Sequence, residues 1–206
     1  MKNNNDLKIF KKGKFVPLDG AFITESVSAL QKLSKVQKKY NKKDTDTIIN
    51  EIRDGIIGKY LDYKLINIEK HGFDGKKVGS DEFLEVKQCS VSSSSWAATF
   101  NDTNKEKAEA FKDEKLLLAL AVWDDVTDLL FICFGQNIEI GNYLEEKMNN
   151  RPEGSRSTQT ISFSALINKY GFKIYIPNSK DVDDVCNIIS LNNSRLKFRH
   201  SLKRIN

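Results

Sequence analysis

Apolar positions along this chain change period several times, and each change marks an element. From Gly20 to Tyr40, Phe22, Ile23, Val27, Leu30, Leu33 and Val36 recur near helical spacing with lysines opposite, which predicts an amphipathic helix. Asp44, Thr45 and Asp46 supply N-cap side chains for a second helix carrying Ile48, Ile49, Ile52, Ile56 and Tyr60. Beyond Asp62 the pattern shortens. Leu65, Ile66 and Ile68 lead into a strand, Gly79-Ser80-Asp81 reads as a turn, and Phe83 to Cys89 reads as the next strand. Ser90 to Ser95 reads as a flexible loop, and Thr99 to Phe111 regains helical character.

Two apolar runs, Leu116 to Trp123 and Leu129 to Phe134, predict strands covered on both faces. A short helix is expected from Gly141 to Met148, then a polar loop from Arg151 to Thr158. A helix from Phe163 to Tyr170, stopped by Gly171, precedes a strand from Phe172 to Ile176. This order predicts an α/β fold, mixed in the α+β sense, with a central mixed β-sheet flanked by helices. A chain of 206 residues encloses one substantial core, so a single domain over 1–206 is expected. Its helical N-terminal part would run over about 20–61 and its core over about 62–177.

Composition narrows the class. With 39% hydrophobic and 30% charged residues the chain reads as a packed soluble protein rather than a disordered one. The net charge of +5 is mild, but basic residues gather near both ends, from Lys8 to Lys43 and from Arg195 to Arg204. Such clusters suit a polyanion through counterion release, and equally suit a solvated lysine-rich surface. Cys89, Cys133 and Cys186 are too scattered for a CxxC pair, so reduced, buried thiols are expected. No apolar run matches a bilayer and Met1 is followed by Lys and Asn, so the expectation is a cytoplasmic protein without a membrane partner. With only His71 and His200, a zinc site is not expected, and no G-x-S-x-G, P-loop or G-x-G-x-x-G occurs.

The candidate chemistry lies in the strand Phe83-Leu84-Glu85-Val86-Lys87-Gln88-Cys89. Alternate side chains of a strand share a face, so Glu85 and Lys87 stand side by side while Gln88 points the other way. Asp74 lies upstream across the expected turn, where a neighbouring strand can bring its carboxylate near Glu85. Two carboxylates beside one ammonium suit phosphodiester hydrolysis. Mg²⁺ needs only one or two protein carboxylates plus substrate phosphate, with Asp74 and Glu85 as its ligands and Lys87 orienting the nucleophile or stabilising charge.

Asp74-Gly75 followed by Glu85-Val86-Lys87 resembles the PD-(D/E)xK nuclease superfamily, which contains many type II restriction endonucleases, with Phe73 in place of the name-giving proline. The resemblance implies a restriction-endonuclease-like sheet core and sequence-specific, Mg²⁺-dependent cleavage of double-stranded DNA by a homodimer. It also implies a catalytic acid on the preceding helix, for which Glu51 is the candidate. Two rival readings stand beside it: a structure-selective nuclease of repair or recombination with the same fold, and a non-catalytic DNA-binding protein.

Two polar segments are candidates for DNA contact. One includes Ser94, Ser95, Thr99 and Asn101 after the Glu85-Lys87 strand; the other includes Arg151, Arg156, Ser157, Thr158 and Gln159. Each also reads as an ordinary connection, the first anchored by Trp96 and Phe100 and the second capping the helix expected near Ile161.

Overall fold

The structure, a computed structural model, describes residues 20–39, 48–65, 73–101, 103–151 and 157–206. The expected caps at Asp44 to Asp46, the strand positions Ile66 and Ile68, His71 and Arg156 lie outside the described residues. The chain divides into two compact units, Met1–Ile48 and Ile49–Asn206. In the first, helix α1 (Gly20–Lys39) is the amphipathic helix expected from the spacing.

The second unit is built on a seven-stranded mixed sheet. Its strands are β1 (Tyr63–Leu65), β2 (Gly75–Lys77), β3 (Phe83–Ser90), β5 (Leu116–Trp123), β6 (Leu129–Gly135), β8 (Lys173–Pro177) and β9 (Leu202–Ile205), and they lie in the order β1-β2-β3-β5-β6-β8-β9. The pairs β3 with β5 and β8 with β9 are parallel, and the other four are antiparallel. A separate two-stranded antiparallel ribbon pairs β4 (Ala97–Phe100) with β7 (Gln159–Ser162).

Both apolar runs are central strands, as expected. On β5, Leu118, Leu120 and Val122 face a core shared with the ribbon and with α3 (Lys105–Ala110), α4 (Glu139–Asn149), α5 (Phe163–Asn168) and α6 (Val182–Asn192). Ala119, Ala121 and Trp123 on its other face meet Ile57 of α2 (Ile48–Leu61). Helices thus flank the sheet on both faces, which accounts for the unbroken hydrophobicity of β5. Arg53 fixes α2 against the β5–β6 turn: its Nε donates to Val126 O at 2.7 Å, and its guanidinium lies 4.9 Å from the centre of the Trp123 ring.

Several expectations need correction. Thr99 belongs to a strand, not to a helix, because Ala98 and Phe100 alternate inward with Ala97 and Thr99; α3 begins only at Lys105, where Asn104 caps it. The segment after Thr158 is the strand β7 before α5 begins. The strand expected from Leu65 begins at Tyr63, α6 and β9 were not anticipated, and Cys89 is only half-buried while Cys133 and Cys186 are buried free thiols. The serine tract is a self-bonded turn rather than a flexible loop, with Ser93 N donating to Ser90 O at 3.0 Å and Ser90 and Ser92 hydroxyls 2.8 Å apart. No described helix is long and apolar enough to cross a membrane.

Helices α3 and α4 approach closely through Gly141. A Cβ there would stand 2.6 Å from Ala108 O and 2.8 Å from Lys112 N, both backbone atoms. Gly141→Ala is therefore expected to destabilise the protein by about 1–3 kcal/mol, a fall in melting temperature of roughly 2–10 °C. Thermal denaturation followed by circular dichroism checks this, and an unchanged midpoint would refute the close approach.

Candidate active site

Strand β2 is short, and the site forms where it stops. The β2–β3 register pairs Gly75 with Leu84 and Lys76 with Phe83 across a turn in which Gly79 takes φ +75°. Asp74 comes just ahead of β2, and its charge acts on the Glu85 carboxyl. Asp74 N still donates to Leu84 O at 2.8 Å, closing the ladder. Asp74 Oδ2 accepts the Val86 N–H at 2.7 Å. The carboxylate thus satisfies a backbone donor of β3.

Glu85 is 3% exposed, on the face of β3 that meets the ribbon and α3. Its Oε1 is bonded by Lys87 Nζ, and its Oε2 is buried without a hydrogen-bond partner. Lys87 Nζ also lies 5.7 Å from the centre of the Phe100 ring. Burial pushes the Glu85 carboxyl up from its ordinary range; the Lys87 charge pulls it down and Asp74 pushes it further up. Asp74 is likewise raised by burial, against the pull of the Val86 N–H and of Lys87 and Lys107. Glu85 therefore senses the Asp74 charge, and Lys87 and Lys107 act on both carboxyls.

The acid contributed by α2 is Asp54. Its carboxyl is pushed up to about 7 by burial and by the Asp74 charge, and Glu85 adds to the push. Gln88 holds it: Nε2 donates to Asp54 Oδ1 and, at 3.3 Å, to Asn50 O. Gln88 points away from Glu85 and Lys87 as expected, but that direction leads to α2 rather than out of the site. Glu51, the acid expected there, is half-buried. The sequence signal that would have found Asp54 is its helical spacing from Ile57 and Leu61, which places it on the inward face of α2.

A cavity of about 280 Å³ opens beside these groups, lined by Asn50, Asp54, Val86, Lys87, Gln88, Thr99 and Asn101. Two of the expected DNA contacts, Thr99 and Asn101, thus border the cavity that Lys87 also lines. Ser94 and Ser95 are exposed in the serine turn and do not line it. Pairing of the ribbon unites the two polar segments: Phe100 lies opposite Gln159 and Thr99 opposite Thr160, and Thr103 N donates to Ser157 O at 3.2 Å. Thr158 and Arg151 are exposed. Among the described residues no group of three or more His, Cys, Asp or Glu side chains is set to hold a metal. The buried, partnerless Glu85 Oε2 and the unfavourable crowding of carboxylates nevertheless fit an ion that prefers oxygen and takes only one or two protein carboxylates. The chain matches no family model, no curated protein and no solved structure.

Folded Asp54 holds its proton up to about pH 7, whereas its ordinary pKa is 3.8. Between those values folding binds a proton, so this group's contribution makes stability fall as pH rises. Asp54→Asn removes the titration but keeps an oxygen for Gln88. In metal-free buffer the two proteins are expected to melt alike near pH 4, with the variant gaining roughly 2–5 °C by about pH 8. A melting difference that does not change with pH would refute the assignment.

Proposed function

We propose that the chain is a Mg²⁺-dependent endonuclease of double-stranded DNA, of the PD-(D/E)xK kind, cutting at specific sites in the manner of a type II restriction enzyme. The observation that carries the reading is Asp74 bonded to the Val86 N–H and acting on Glu85, with Lys87 bonded to Glu85, beside a cavity that Lys87 lines. The mixed sheet with helices on both faces suits a restriction-endonuclease-like core.

Asp74 and Glu85 would hold the metal, Glu85 through its partnerless Oε2. When bound, Mg²⁺ would supply Lewis-acid stabilisation of the phosphate and lower the pKa of a coordinated water. Lys87 supplies a fixed positive charge in a partly desolvated place, where it stabilises the negative charge that grows on the phosphate oxygens. The Val86 N–H holds Asp74 in position so that little reorganisation is needed. Asp54, held by Gln88, gives up its proton only near pH 7, and a divalent cation bound beside it would favour the charged form. Thr99 and Asn101, which border the cavity, present hydrogen-bonding groups for phosphates or base edges next to the cutting centre. Cutting both strands of a two-fold symmetric site calls for two such centres, hence a homodimer.

Incubation with plasmid DNA and Mg²⁺ tests the proposal. The native chain is expected to give discrete fragments. Asp74→Ala and Lys87→Ala are expected to lose roughly 100-fold or more of that rate, with far-ultraviolet circular dichroism unchanged. Cleavage without discrete bands would replace site specificity by structure selection. Salt-sensitive DNA binding with no metal-dependent cutting would leave a non-catalytic DNA-binding protein.

A further inference from the structure

A second lysine belongs to this centre. Lys107 sits in the first turn of α3, where Asn104 Oδ1 caps the helix by accepting the Lys107 N–H at 2.8 Å. Burial of Ala108 and the Thr103 hydroxyl on Phe100 O, at 3.0 Å, fix the rotation and start of that helix against the ribbon. Lys107 Nζ donates to Asn101 O at 2.8 Å, and Asn101 lines the cavity together with Lys87, Gln88 and Asp54. Its charge reaches both Asp74 and Glu85 and lowers both carboxyls. Among the described residues Lys107 forms no salt bridge: its ammonium is tethered to a neutral carbonyl.

We propose that Lys107 grips a DNA backbone phosphate at the rim of the cutting centre, acting in substrate binding rather than in the chemical step. It rests on the nuclease reading for the identity of that phosphate. Three crowded carboxylates repel an incoming phosphodiester, and Lys87 is already engaged by Glu85. An ammonium fixed by one carbonyl bond keeps donors for a phosphate oxygen and loses little conformational freedom on binding. Because no described carboxylate forms an ion pair with it, its contact releases condensed counterions.

The test is duplex DNA binding by fluorescence anisotropy over a range of KCl concentrations, beside plasmid cleavage with Mg²⁺. The native chain is compared with Lys107→Ala, Lys107→Arg and Lys87→Ala. Lys107→Ala is expected to reduce the slope of log affinity against log salt by about 0.9 and to weaken binding to all sequences alike. It should raise KM with kcat held within about threefold, and Lys107→Arg should restore the slope. An unchanged slope in Lys107→Ala, or a loss confined to kcat, overturns the proposal even if the native chain cuts and Lys87→Ala does not. A reduced slope with no cutting by the native chain upholds the phosphate contact and rejects the nuclease reading. If the native chain binds no duplex, both fall.

Discussion

The bond from the Val86 N–H to the Asp74 carboxylate joins the fold to its chemistry. A strand that outruns its neighbour leaves backbone donors without partners, and a half-buried donor left so is unfavourable by about 1–3 kcal/mol. Here the residue just ahead of β2 supplies the acceptor. The bond that satisfies the backbone also holds Asp74 beside the strand that carries Glu85.

Concentrating negative charge there opposes folding, and the surroundings limit the penalty. Lys87 is bonded to Glu85, Gln88 holds Asp54, and Lys107 acts on Asp74 and Glu85 from α3. The acids remain raised above their ordinary ranges, because burial outweighs these compensations. Strain of this kind is typical of groups retained for binding a cation or a reacting phosphate rather than for stability. The site draws on both faces of the sheet: α2 reaches it from one side, and the ribbon and α3 from the other.

The ribbon joins two polar segments beside that centre. Trp96, Ala98, Phe100 and Ile161 are buried beneath it, leaving Thr99, Thr160 and Ser162 facing outward. Distant polar segments are therefore held to one another by backbone hydrogen bonds and to the cavity through Thr99 and Asn101. Not every basic group belongs to this surface: the Arg204 guanidinium bonds Asn178 and Lys180 O and ties β9 to the end of β8.

By itself the sequence determined the strong periodicities and what they carry. The apolar runs of β5 and β6, the turn at Gly79, and the shared face of Glu85 and Lys87 follow from alternation over neighbouring residues, which is local information. Tertiary structure decided that Asp54 joins the site. Ile49 and Ile52 are exposed although they belong to the apparent apolar stripe, while Ile57 is fully buried, and Asp54 is held by Gln88 of β3. It also decided that β4 and β7 pair. Four-residue strands carry too short a period to be read from the chain, and their partnership depends on a common core beneath them, not on anything adjacent in sequence.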